Sequence, residues 1–151
     1  MFRRAVTETY AQTNQLVGLC DTNQSRLSLS ASQVPDPRGN GIATYQAEHF
    51  DEMLSQQRPD KVVVTVPDYL HHEYIVRAMK AGCDVVTEKP MTTDLVRLKA
   101  ILDAQAETGR LVTVTFNYRY TPARTQLKDI LQSGAIGDIT AVDFRWYLDR
   151  V

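Results

Sequence analysis

Four short apolar runs, rich in β-branched residues, recur along the chain, and helical patterns fill the gaps between them. The runs are Leu16–Cys20 ending at Asp21, Lys61–Val66 ending at Pro67, Asp84–Thr87 ending at Glu88, and Leu111–Phe116. They show little polar alternation, which is the pattern of strands covered on both faces, as in a parallel sheet. The span Leu70–Ala81 sets Ile75, Ala78 and Met79 at helical spacing, with Asp68 as N-cap and Gly82 as stop. A second helix, Asp94–Thr108, aligns Leu95, Leu98, Ile101, Leu102 and Ala106 between a Thr93 cap and Gly109. Shorter helices are expected over Asn23–Ser30 and Glu48–Gln56, the latter with Phe50, Met53 and Leu54 inward, and Thr44-Tyr45 reads as a brief strand. Strand and helix alternating through short joins require right-handed crossovers, so the fold class is α/β, a doubly wound parallel sheet.

The pattern changes after Phe116. Thr121-Pro122 opens a helix to about Gln132, with Gly134 past its end. Asp138–Leu148 then reads as a long strand, with Thr140, Val142, Phe144, Trp146 and Leu148 on one face. Such a strand suits an antiparallel sheet with one solvated side. The pattern therefore divides the chain into an α/β part over 1–118 and a helix followed by a strand over 119–151.

Composition narrows the function. Seventeen Lys and Arg against eighteen Asp and Glu give a net charge of −1, and the absence of a basic run argues against a nucleic-acid partner. No apolar stretch approaches the length of a membrane span, and Met1–Val6 lacks the apolar segment of a signal peptide. Cys20 and Cys83 each adjoin an apolar run; they read as free thiols in a reducing cytoplasm rather than a disulfide or metal pair, and no metal site is expected.

A doubly wound nucleotide fold ordinarily opens with a strand and a Gly-rich turn that seats a pyrophosphate on a helix N-terminus. This chain opens instead with a helical pattern, Phe2, Ala5, Val6, Thr9 and Tyr10. Its one G-x-G, Gly39-Asn40-Gly41, ends the Pro-rich stretch from Val34 and reads as a surface loop. Asp21 fits nucleotide binding better. An acid ending the second strand of such a sheet can accept both hydroxyls of an adenosine ribose and would repel a 2′-phosphate, favouring NAD over NADP. The alternative is a turn or N-cap aspartate for the Asn23 helix.

Val66-Pro67-Asp68-Tyr69-Leu70-His71, then Gly82, then Val85-Val86-Thr87-Glu88-Lys89-Pro90 form a specific constellation. It resembles the Gfo/Idh/MocA oxidoreductases, whose Rossmann domain carries a similar Pro-x-x-x-His helix start and a Glu-Lys-Pro signature. Phe116-Asn117-Tyr118-Arg119-Tyr120, Pro122, Lys128 and the Gly134–Asp138 turn are similar to that family's passage into its second domain.

The resemblance implies an NAD-dependent oxidoreductase acting on a small sugar or polyol, from a parent that forms homo-oligomers. By position, Asp21 would bind the adenosine ribose, Val66 and Pro67 would line the cofactor cleft, and His71 would sit near the cofactor. Glu88 would lie under the nicotinamide end, and Lys89 would reach the nicotinamide ribose and the substrate hydroxyl. Pro90 would fix the backbone after Lys89, with a cis Lys89–Pro90 peptide to look for. Asn117 and Arg119 would border the substrate. Hydride loss from a carbinol also requires loss of its hydroxyl proton, and a lysine amine can take it where desolvation or a nearby positive charge favours the neutral form. Two other outcomes stay open: the family's NAD-dependent glycosidase branch, and a non-catalytic binding remnant. Set beside the family, the chain reads as an internal fragment. The sheet is then expected to lack its central strand, leaving unpaired edges, and the piece is expected to be inactive and unable to form a stable monomer.

Overall fold

The structure is a computed structural model that describes residues 2–35 and 41–147. The chain divides into two compact units, Met1–Thr115 and Phe116–Val151.

The first unit contains five strands, β1 (Gly18–Asp21), β2 (Ala43–Gln46), β3 (Lys61–Val64), β4 (Asp84–Glu88) and β5 (Val112–Thr115). Its helices are α1 (Phe2–Arg4, continued as a π-helix over Ala5–Thr9), α2 (Gln24–Ser32), α3 (Phe50–Gln57), α4 (His71–Lys80) and α5 (Leu95–Thr108). All pairings are parallel. β1 pairs with β2, and separately β4 lies between β3 and β5. The α/β alternation read from the sequence is present. The strands are divided between two sheets, and β1 and β3 each keep an edge unpaired within their sheets.

Register explains the core. Val62 stands opposite Val85 and Val85 opposite Val112; the next row on the same face is Val64, Thr87 and Val114. Val62, Val64, Val85 and Thr87 are buried together with Phe50, Met53 and Leu54 of α3, Ile75, Ala78 and Met79 of α4, and Ile101 and Ala104 of α5. The other face is more open, with Lys61, Val63 and Thr113 exposed. Full cover on both faces, expected from the apolar runs, is thus not realised in this sheet. Helix α4 packs on β3 and β4 and α5 packs on α4, whereas α2 and α3 pack on β1 and β2.

Helix ends correct two expectations. A 3₁₀ turn, Asp68–Leu70, precedes α4, and the cap position is Leu70, so Asp68 does not cap α4. For α5 the cap is Asp94, whose carboxylate accepts the Arg97 N–H at 2.8 Å, and Gly109 closes the helix at φ +68°. Asn23 caps α2 in the same way, accepting from the Arg26 N–H at 3.0 Å. Most of the Pro-rich loop, including Gly39 and Asn40, lies outside the described residues.

In the second unit, α6 spans Pro122–Gln132, with Pro122 in its first turn as expected. The strand expected over Asp138–Leu148 does not form among the described residues: 138–147 carry neither helix nor ladder, and Leu148 lies outside them. A strand is held by hydrogen bonds to a neighbour, and alternation alone does not supply one. Phe144 and Trp146 nevertheless cluster, ring centroids 5.9 Å apart, with Tyr118 5.3 Å from Trp146 and the Arg124 guanidinium over both Tyr118 and Trp146.

Candidate active site

Ligands of doubly wound folds meet the carboxyl ends of parallel strands. Two such ends carry the chemistry here, those of β4 and β1.

At the end of β4, Thr87 is fully buried and its carbonyl accepts a hydrogen bond from Thr115 Oγ1 at 3.2 Å, tying β4 to β5. The next residue, Glu88, is half-buried, and its Oε2 accepts the Lys89 N–H at 3.2 Å. Lys89 is exposed, and the Lys89–Pro90 peptide is cis, as the resemblance leads one to look for. Pro90 is exposed as well, while Met91 packs against the core.

Val66 follows β3, half-buried against the same core, and Pro67 is exposed ahead of the 3₁₀ turn. His71 begins α4 and is completely buried. Its Nδ1 lies 2.7 Å from the Pro90 carbonyl oxygen and its Nε2 2.9 Å from that of Val66. Both polar atoms of the ring are therefore engaged by main chain, where the sequence had set the residue beside the cofactor.

Asp21 ends β1. Its Oδ1 accepts the Asn23 N–H at 2.8 Å, a local turn contact, while the carboxylate keeps partial exposure at a strand end. The Arg26 guanidinium takes most of the remaining capacity, with Nη2 2.6 Å from Oδ1 and Nε 3.0 Å from Oδ2. Those bonds hold the carboxyl below the usual carboxylate value, against a smaller opposing effect of burial. A carboxylate offers about four acceptor sites. With the Thr22 hydroxyl also 3.5 Å from Oδ1, four donors are present, so Asp21 can accept ribose hydroxyls only as Thr22 or Arg26 turns away. The residue types suit the sugar of a dinucleotide on that condition.

Arg26 is the residue that sequence reasoning missed. The signal was the Asn23 cap, which puts residue 26 in the first turn of α2, just beyond the end of β1. The substrate-side candidates, Asn117 and Arg119, belong to the second unit, where 117–120 form a turn and the Arg119 guanidinium stands 5.7 Å from the Tyr120 ring centre. A groove lined by Asp51, Arg58, Asp60, Gly82, Asp84 and Arg110 lies at the N-terminal ends of β3 and β4, away from Lys89, and holds none of the candidate residues. Among the described residues no group of three or more acidic, His or Cys side chains could hold a metal. Among the described residues no helix is long and apolar enough to cross a membrane.

The profile of the Gfo/Idh/MocA family, an oxidoreductase family with an NAD-binding Rossmann fold, matches residues 2–116. The chain belongs to that family. Among its Gfo/Idh/MocA relatives is YteT of Bacillus subtilis (strain 168), 34% identical over 149 residues, covering 99% of this chain and 34% of YteT. The inositol 2-dehydrogenase/D-chiro-inositol 3-dehydrogenase of Lactiplantibacillus plantarum is 28% identical over 143 residues, covering 94% of this chain and 39% of its own. The crystal structure of myo-inositol 2-dehydrogenase from Lactobacillus plantarum superposes with a TM-score of 0.78 at 22% identity, covering 91% of this chain and 38% of that one, which establishes the shared fold. The chain spans about a third of the length of the curated relatives it matches.

Proposed function

We propose that this chain forms the cofactor side of a dehydrogenase that passes hydride between NAD and a sugar or cyclitol hydroxyl, with Lys89 taking the hydroxyl proton. The observation that carries the reading is the placement of Lys89. It is an exposed ammonium-bearing side chain directly after β4, the middle strand of its sheet, with the Glu88 carboxylate bound to its own backbone N–H. Membership of an NAD-binding oxidoreductase family and likeness to an inositol dehydrogenase support the reaction class.

In this reading Lys89 reacts as the neutral amine: its Nζ accepts the hydroxyl proton, the O–H electron pair closes the C=O bond, and the C–H leaves as hydride. NAD, when bound, supplies the hydride acceptor. Asp21 orients the adenosine end by accepting a ribose hydroxyl, and its negative charge disfavours a 2′-phosphate, which supports NAD over NADP. Val66 and Pro67 border the cofactor, and Glu88 and Pro90 fix the backbone on either side of Lys89. Asn117 and Arg119 are assigned to the substrate. Two free cysteines support a reducing, cytoplasmic setting.

Saturation-transfer NMR of the 151-residue chain with NAD at millimolar concentration tests the proposal, because it reads weak binding. Adenosine-ribose and nicotinamide-ribose protons are expected to receive saturation. Asp21→Ala should abolish the first set selectively, and Lys89→Met should weaken the second. No saturation with NAD, or patterns indifferent to both substitutions, would overturn it.

A further inference from the structure

His71 presents an unusual donor problem. Its ring is fully buried, and each nitrogen faces a carbonyl oxygen, Pro90 at 2.7 Å and Val66 at 2.9 Å. Carbonyl oxygens only accept. A neutral imidazole carries one N–H, so its second nitrogen would turn a lone pair toward an oxygen at hydrogen-bonding distance, away from water. A ring that donates once holds one of these carbonyls and packs against the other.

The two carbonyls belong to the segments leaving β3 and β4, which are neighbours in the sheet. Glu88 Oε2 already holds the Lys89 N–H from one side, and the His71–Pro90 contact grips the chain one residue further on. The backbone that carries Lys89 is thus held both before and after its side chain.

We infer that His71 is a positioning residue: set between the Pro90 and Val66 carbonyls, its ring ties the Lys89–Pro90 turn to the segment after β3 and fixes where Lys89 projects. The use made of Lys89 rests on the dehydrogenase reading above; the tie itself does not.

The test is ¹⁵N NMR of the histidine rings in the full chain, together with amide exchange in His71→Phe and His71→Gln. The wild-type spectrum should show a single fixed His71 tautomer. In His71→Phe, exchange at the Lys89 amide should rise about tenfold or more while Val86 and Val114 stay protected. His71→Gln, with two N–H donors on one nitrogen, should recover much of that loss. Averaging between the two tautomers in the wild-type ring would overturn the inference. So would unchanged Lys89 exchange in His71→Phe, or a Gln variant no better than Phe. If His71→Phe loosens the whole sheet, the wild-type ring spectrum alone decides. None of these readouts involves NAD, so a failure here is distinct from failure of the dehydrogenase reading.

Discussion

Asp21 and Arg26 form a two-point pair, with Nε 3.0 Å from one carboxylate oxygen and Nη2 2.6 Å from the other. The pair joins the end of β1 to the first turn of α2, where a ribose recognised by Asp21 would have to enter. Under the proposed dehydrogenase reading, the two residues compete in nucleotide choice. The carboxylate accepts ribose hydroxyls, whereas a guanidinium released from it becomes a donor fork for phosphate. Asp21→Ala is expected to weaken NAD by about tenfold, the worth of a charge-assisted hydrogen bond, and to raise NADP relative to NAD. Arg26→Ala should leave NAD bound as well or better. Comparative saturation transfer with the two nucleotides measures the ratio, and an Asp21→Ala ratio equal to that of the unaltered chain would contradict the assignment.

The same pair gives the fold an acid-sensitive component. The Arg26 hydrogen bonds, helped by the Asn23 N–H, hold the Asp21 carboxyl below its usual value in the folded chain. A folded-state depression means the stabilisation is complete above the unfolded carboxyl's value and is lost as pH falls through the folded one. Urea midpoints should therefore decline below about pH 4. Asp21→Asn should flatten that decline and leave the midpoint's slope between pH 6 and 8 unchanged. Because Arg26 is largely exposed, the difference should shrink in high salt.

Helix α5 tests the corrected cap. Asp94 supplies the capping oxygen, and Gly109 closes the helix in the left-handed region. Asp94→Ala should cost about 1 kcal/mol, and Gly109→Ala about the same, since a Cβ is disfavoured at positive φ. Thr93→Ala should cost less, because its hydroxyl only accepts from the half-buried Arg97 side chain at 3.2 Å and bonds no helix N–H. Urea unfolding with constant slope gives each value; a larger loss for Thr93→Ala would restore Thr93 as the cap.

Sequence patterns carried the α/β alternation because they are local: β-branched runs and helical stripes each record their own burial. Phe50, Met53, Leu54, Ile75, Ala78, Met79 and Ile101 were all readable as inward, and all are buried, but Leu95 and Leu102, read on the same α5 stripe as Ile101, are exposed. What failed depends on distant partners. Val63 reads as core but is 37% exposed, because no buried helix covers its side of the sheet. Residues 138–147 alternate without forming a ladder. At the site, residue identity placed Lys89 and Asp21 at strand ends. The engagement of His71 with two carbonyls, and of Asp21 with Arg26, depends on geometry between elements, which spacing does not encode.

Val63 leads to a prediction about association. β3 has one edge free within its sheet, and Val63 adds an exposed apolar side chain beside it. Unpaired apolar edges recruit other strands. The purified chain is expected to self-associate as concentration rises, and Val63→Lys should reduce the associated fraction in sedimentation velocity. An unchanged distribution would exonerate β3 as the contact.

The two thiols supply the last prediction. Burial pushes both Cys20 and Cys83 up from the ordinary thiol value, and the lowering influences of Arg77 and Arg110 respectively are smaller. The thiolate is the species that reacts, so raising the thiol value removes the nucleophile at neutral pH. Cys83 is 2% exposed, whereas Cys20 is partly open and its Sγ lies 3.6 Å from the Gln46 carbonyl oxygen. Iodoacetamide at pH 7.5 should therefore label Cys20 slowly and Cys83 more slowly still, each at least about tenfold below its rate in urea. Modification of Cys83 reports opening of the α4–β4 core, so its rate should climb with denaturant before that of Cys20 does more than drift. Peptide mass spectrometry over a time course separates the two sites; equal rates for both cysteines in the folded chain would show that the core around Ile75, Met79 and Val85 opens as readily as the end of β1.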